Sequence, residues 1–390
     1  MKNIEKLLVI VMFIAVIVAV PILTFNSEIA ESSDIEFREL AKEPEYSNED
    51  FWNGSFFREW ENYFLDHIYE RNQWLKINTA VQMKLLKRDV INSVVVTDDV
   101  LLAYNYPNEE PYDLTEDAEE IAERLAGANE RTKAYGGTFL YVSMPEQFSI
   151  FRDRYPSHLE NGGRLLDAID DAFTKAMSEK DVPFLNMRRE FLAQEDYDRF
   201  YALTDHHYNF RGAVFTCQAI ERRLREMGTD ISLALPGEKE LQGLDNRFQG
   251  SRNRQLSYLS PLYDKFLYYT PTIPFKRWDQ GNPSQEAVIN FPITDDDPVS
   301  YVNYMFGDIA ETLVATYRDD LPNVLIWGDS FTNAAETMLY TGFNEMRSLD
   351  LRFYKTMGVY EYIETYKPDI VICMVNDANC LALDGNGDIH

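Results

Sequence analysis

The distribution of apolar and polar positions divides the chain into regions of different kind. Residues 7–25 carry no charge and offer no polar face. At about 1.5 Å per residue such a run reaches roughly 28 Å, the thickness of a bilayer core, and predicts a spanning helix. Aromatic residues become dense from Phe51, and residues 57–88 follow a helical period. Two short valine- and leucine-rich runs, 94–96 and 100–102, bracket Thr97-Asp98-Asp99 as a hairpin would. From about residue 113 helix and strand patterns alternate. Helices are expected over 115–135, 165–177 and 210–227, and buried strands over 138–143 and 182–185. Gly136-Gly137 closes the first helix, and Pro145 stops the strand after it. Residues 229–320 lose this periodicity and are rich in Tyr, Phe, Pro and Asn, as an insertion of short strands and loops would be. The alternation resumes with an apolar run ending at Gly328, a helix over 332–341 and a buried strand over 368–377. Strands separated by helices at this spacing predict a parallel sheet covered on both faces.

Charge orients the membrane segment. Lys2 and Lys6 precede it; Glu28, Glu31, Asp34 and Glu36 follow it. The positive-inside rule then puts the N-terminus in the cytoplasm and the remainder outside. A cleaved signal peptide is the competing reading, but the apolar run exceeds a usual h-region and no Ala-x-Ala site follows. The expected plan is an anchor over 1–25, an acidic stalk over 26–50, and a large domain over 51–390 interrupted at about 229–320. The whole chain has 390 residues and a formal charge of −28. That charge repels nucleic acid and anionic lipid surfaces, and no Lys/Arg cluster stands out to reverse it. Cys217 and Cys373 fall in helical and strand patterns as buried thiols, and no pattern supports a Cys373–Cys380 bridge. Asp384-Gly385-Asn386-Gly387-Asp388 begins like a calcium loop but lacks its sixth-position glycine and closing glutamate.

Two segments 125 residues apart carry the chemistry. In the first, Gly328-Asp329-Ser330 ends a strand and starts a helix. Ligands bind at that end of open α/β sheets, and a helix start offers unpaired N–H groups. Serine is also a preferred helix cap, so the tripeptide admits both readings. The G-x-S-x-G elbow of the α/β-hydrolases is absent. A nucleophilic serine needs a base, and the second segment, Thr204-Asp205-His206-His207-Tyr208, supplies one. In an extended segment Asp205 and His207 point to one side. The carboxylate then fixes the imidazole tautomer, and the imidazole takes the serine proton. His206 faces away, and with Asp329 and Tyr208 it is expected to support the site from behind. Two adjacent histidines also suit a metal, but no third ligand lies nearby, so neither metal nor other cofactor is expected. Asn376, at the end of the 368–377 strand, reads either as an oxyanion donor beside the N–H groups of Gly328 or Ser330, or as a turn residue. His67, His158 and His390 lack a partner pattern and read as surface residues.

Together these segments resemble the SGNH, or GDSL-type, hydrolase superfamily. Gly328-Asp329-Ser330-Phe331 is similar to its serine block, and the 368–377 strand ending in Asn376-Asp377 to a later block, though without the usual glycine. The order is permuted, with Asp-x-His ahead of the serine. That order and spacing are similar to the alginate O-acetyltransferase group, and Asp205-His206-His207-Tyr208 resembles the signature of the DHHW family with tyrosine in place of tryptophan. Residues 63–71, Phe248-Gln249-Gly250-Ser251 and Ser348-Leu349-Asp350-Leu351-Arg352 resemble further elements of that family. The resemblance implies an SGNH-like three-layer α/β/α fold in a membrane-anchored, extracytoplasmic enzyme. It implies Ser330, His207 and Asp205 as the catalytic residues of a serine acyltransferase that O-acetylates an envelope or exopolysaccharide. A membrane-bound O-acyltransferase supplying acetyl groups is the implied partner. An acetylesterase of the same fold, or a non-catalytic glycan-binding or scaffold protein, are the alternatives.

Overall fold

The computed structural model describes residues 2–33, 35–36, 38–105 and 113–389; Asp34 and His390 lie outside them. The chain forms two compact units, residues 1–92 with 254–260, and residues 93–253 with 261–390. In the first, α1 (Lys2–Asn26) contains the expected 7–25 run and is long and apolar enough to cross a membrane. The periodic stretch 57–88 resolves into α2 (Ser55–His67) and α3 (Arg71–Lys84), broken where Glu70 takes a left-handed φ of 56°. Ion pairs of Asp66 with Arg38 and of Glu36 with Arg71 tie the acidic segment after α1 to these helices. His67 is half-buried and stacks on Tyr63 at 4.4 Å, against the expectation of a surface residue, while His158 is exposed.

The second unit contains the sheet. Its strands in chain order are β1 (Thr138–Met144), β2 (Phe184–Asn186), β3 (Lys276–Asp279), β4 (Asn282–Pro283), β5 (Glu311–Ala315), β6 (Val324–Gly328), β7 (Glu345–Leu349) and β8 (Ile370–Asn376). Across the sheet they lie in the order β4-β3-β5-β7-β6-β8-β1-β2. From β7 to β2 all neighbours are parallel, but β5 pairs antiparallel with β7, and β3 and β4 continue that sense outward. The expected parallel sheet forms the centre, and antiparallel strands extend it at one edge. The aperiodic insertion returns along the open edge of β7 and supplies β3, β4 and β5. Their polar residues, as in Glu-Thr-Leu-Val-Ala of β5, conceal a strand whose first and third residues are only half-buried.

The central strands are apolar on both faces because both faces are covered. Phe139, Tyr141, Leu325, Trp327, Val371 and Cys373 share one core with α4 (Thr115–Ala134), α5 (Gly163–Glu179) and α8 (Val359–Tyr366). The intervening Leu140, Val142, Ile326, Ile372 and Met374 are equally buried and point the other way. There α7 (Phe331–Leu339) lies on β6 and β8, with α6 (Phe210–Glu226) packed against it. Three layers result, as expected. Connections leaving β1 and β6 run toward opposite edges of the sheet, which opens a crevice at the C-terminal ends of the strands between them. Cys217, Cys373 and Cys380 are free and buried.

Trp327 is fully buried one residue before Gly328. Trp327→Ala should cost about 3–5 kcal/mol, read as a lower denaturant midpoint in equilibrium unfolding.

Candidate active site

Ser330 stands at the junction of β6 and α7, in the cap position of the helix, yet its side chain makes no capping bond. Its Oγ instead lies 2.7 Å from Nε2 of His207. The opposite ring nitrogen, Nδ1, is 2.7 Å from Oδ1 of Asp205. A carboxylate only accepts, so Nδ1 carries the proton and Nε2 is left to accept from the serine hydroxyl. The expected neighbourhood of Asp205 and His207 is observed, but its cause differs from the one the sequence suggests. Residues 203–207 bend rather than extend, and Asp205 Oδ1 also accepts the backbone N–H of His207 at 3.0 Å. The carboxylate closes a local turn that brings the ring back onto itself.

Asp205 is buried, and its other oxygen accepts the N–H of Ser251 at 2.7 Å. Burial alone pushes this carboxyl up; the charge and hydrogen bond of His207, with His206 and the Ser251 N–H, outweigh it and hold it well below the usual carboxylate range. Ser251 also takes the backbone N–H of His206 at 3.2 Å and contacts His206 Nδ1 at 2.7 Å. This brace requires close approach of two backbones. A Cβ on Gly250 would stand 2.3 Å from the carbonyl oxygen of Thr204. Below it, the carboxylate of Asp264 accepts the N–H groups of Leu203 and Thr204 and the Thr204 hydroxyl.

The imidazole of His207 is held between rings. Tyr301 stacks on one face at 3.6 Å and 4° from parallel, and the ring of His206 lies 3.7 Å away at a tilt. His206 therefore touches the His207 ring rather than facing away from it. Tyr301 comes from the aperiodic insertion, where no spacing marks it. Ligand atoms of Asp205, His206 and His207 lie within 4.8 Å of one another, as a metal site would need. Both nitrogens of His207 are already engaged, which leaves that residue no lone pair for an ion.

Asp329 and Asn376 lock the serine turn. Asp329 accepts the N–H of Phe331 through one oxygen, and the backbone and side-chain N–H groups of Asn376 through the other, at 2.9 and 2.7 Å. The side-chain Oδ1 of Asn376 accepts the N–H of Asn379. One of the two side-chain N–H groups of Asn376 is thus held by Asp329, and the residue clamps the ends of β6 and β8 together. Tyr208 is buried, and its hydroxyl donates to the carbonyl of Phe331. Gly328 does not occupy a left-handed conformation; it is required because a Cβ there would lie 1.9 Å from the Met374 carbonyl oxygen on β8.

Two further carboxyls border this network. Asp377, after β8, accepts the N–H of Glu146, after β1, at 3.0 Å, and Glu146 faces Arg252 at 3.5 Å. Burial pushes Glu146 up to about 7, against the pull of Arg252, and Asp377 up to about 6. Glu146 was not singled out from the sequence, and Asp377 only as part of the Asn376-Asp377 strand end, since single acidic residues after strands are common turn residues.

Two measurements follow. Gly328→Ala should lower the melting temperature by many degrees or prevent folding, because backbone stands where the methyl group must go. For Glu146, whose folded pKa is raised, the stabilising proton is fully retained below the unfolded value near 4.3 and its contribution is lost as pH rises toward 7. Wild type should therefore lose up to about 3 kcal/mol across that window through this group. Glu146→Gln should flatten the decline, as measured by urea unfolding at pH 5 and pH 8.

No family model and no curated protein matches the sequence. Solved structures do match the fold. Bacillus cereus PatB1, solved with a sulfonyl adduct, aligns with a TM-score of 0.59 at 21% identity, over 74% of this chain and 95% of that one. A DHHW family protein from Eubacterium siraeum aligns at 0.54 and 17% identity, over 75% of this chain and 93% of its own. The O-acetyltransferase domain of Pseudomonas putida AlgJ gives 0.46 and 12%, over 74% and 92%. In fold, this chain is a three-layer α/β protein similar to Bacillus cereus PatB1 and to the DHHW family protein from Eubacterium siraeum.

Proposed function

We propose that the chain is a membrane-anchored, extracytoplasmic serine acyltransferase that O-acetylates a cell-envelope or exported polysaccharide. The observation that carries this reading is the continuous chain Ser330 Oγ, His207 and Asp205, with 2.7 Å at each link. In the proposed cycle the Ser330 oxygen attacks the carbonyl carbon of an acyl ester as its proton passes to His207 Nε2. Asp205 stabilises the imidazolium that forms. The tetrahedral oxyanion is received by the N–H of Ser330 at the start of α7, where helix N–H groups are unpaired. The C–O bond of the donor then breaks, and its oxygen leaves with the proton from His207. A sugar hydroxyl attacks the resulting acyl-serine, gives its proton to His207, and departs as the acetyl ester while Ser330 recovers the proton.

The same groups act as an esterase when water is the second nucleophile, so the outcome depends on how an acceptor excludes water at the crevice. The apolar helix α1, followed by acidic residues, supports an extracytoplasmic position. A membrane-bound O-acyltransferase is the proposed source of acetyl groups, as the sequence resemblance implies.

The deciding experiment incubates the full chain with an activated acetyl ester and separately with a sulfonyl fluoride, and maps adducts by peptide mass spectrometry. Label is expected on Ser330. Ser330→Ala should abolish turnover while the melting curve stays unchanged, and His207→Ala should reduce turnover by about 10⁴-fold or more. Turnover retained in Ser330→Ala would overturn the proposal. Acetyl transferred to an oligosaccharide faster than to water assigns transferase over esterase; glycan binding with neither label nor turnover would assign a binding protein.

A further inference from the structure

The net charge of −28 hides a local exception. Residues 71–88, Arg-Asn-Gln-Trp-Leu-Lys-Ile-Asn-Thr-Ala-Val-Gln-Met-Lys-Leu-Leu-Lys-Arg, contain five basic residues and no acidic one. This segment is α3 and the residues that follow it. Arg71 pairs with Glu36, while Lys76, Lys84, Lys87 and Arg88 form no ion pair among the described residues. The expectation that no Lys/Arg cluster reverses the charge is corrected here.

The same helix exposes an apolar stripe. Trp74, Ile77, Val81 and Leu85 recur at the spacing of one helix face and are 53%, 53%, 36% and 75% exposed. Thr79, on the opposite side, is buried. An exposed stripe of this kind marks a surface made to meet something apolar. Its start is fixed beside the membrane anchor. The N–H of Tyr69 donates to the Thr24 hydroxyl at 3.0 Å, Phe64 meets Phe25 at 5.6 Å, and the indole N–H of Trp74 donates to the carbonyl of Tyr69. The first residue of the stripe is thus one hydrogen bond from the loop that holds the end of α1.

We infer that α3 is an interfacial helix that lies on an anionic phospholipid surface, with Ile77, Val81 and Leu85 inserted among the acyl chains and Trp74 and the basic residues at the headgroups. Aromatic residues settle at the headgroup level, and each basic residue near an anionic surface favours binding by about fivefold. An acidic protein tethered by one helix would otherwise swing freely over a surface of its own charge. This second contact fixes α2 and α3 against the bilayer, and it is independent of the acyl-transfer proposal.

The test uses the full chain, whose own cysteines are buried, reconstituted in nanodiscs of phosphatidylglycerol or of phosphatidylcholine. Nitroxide labels are placed by Ile77→Cys, Val81→Cys and Leu85→Cys, with Asn72→Cys for reference. In phosphatidylglycerol, accessibility to dissolved oxygen relative to an aqueous nickel chelate should be several-fold higher at 77, 81 and 85 than at 72. Phosphatidylcholine, or replacement of Lys76, Lys84, Lys87 and Arg88 by Glu, should remove that difference while turnover of an activated ester is unchanged. Labels open to nickel in both lipids, equal insertion in both lipids, or labels shielded from both probes, as by a protein partner or a second copy, would each overturn the inference.

Discussion

The site depends on keeping one buried carboxylate fully paired. An unpaired charge at Asp205 would cost several kcal/mol, so its surroundings must supply donors. They do so from two sides: the N–H and ring of His207 at one oxygen, and the N–H of Ser251 at the other. Each partner is placed by this need in turn. The bend at 203–207 aims His207 at Ser330, and the approach of Gly250 to Thr204 brings Ser251 within reach. The helix from Gln147 to Ile150 holds the same bend from a third direction, its first N–H donating to the carbonyl of His206.

The serine is fixed by a second carboxylate with a different task. Asp329 spans β6 and β8 at their C-terminal ends, and its burial pushes its pKa up against the opposing N–H groups of Asn376 and Phe331. The two strands approach closely enough there to require glycine at 328. A rigid junction of this kind holds Ser330 without using its side chain as a cap, so the hydroxyl is free to face the histidine.

How much of this was legible in the sequence follows from burial. β1, β6 and β8 are covered on both faces and therefore read as unbroken apolar runs, and α4 to α7 show their period plainly. β5 and β7 are short and only half-buried at their first and third residues, so Glu-Thr-Leu-Val-Ala and Glu-Met-Arg-Ser-Leu do not stand out from loop sequence. The proximity of Asp205, His207 and Ser330 was legible because the three residue types fall in segments that a strand end and a short Asp-x-His spacing set apart from the rest of the chain. The bend that joins the first two was not, since it is set by the carboxylate it contains. Tyr301 and Asp264 act across the fold from an aperiodic region, and nothing local announces them. The basic character of α3 was lost by averaging charge over the whole chain.

The central position of β8 has a consequence for how the protein comes into being. The sheet places this strand, one of the last in the sequence, between β6 and β1. Until residue 376 has been synthesised, β1 and β6 have no common neighbour and Asp329 lacks Asn376. The closing contact joins segments more than 200 residues apart, which makes assembly slow relative to helix formation. Ser330 and His207 are thus fixed relative to one another only once residue 376 has joined the sheet, and shorter lengths of the chain carry both residues without the junction that holds them.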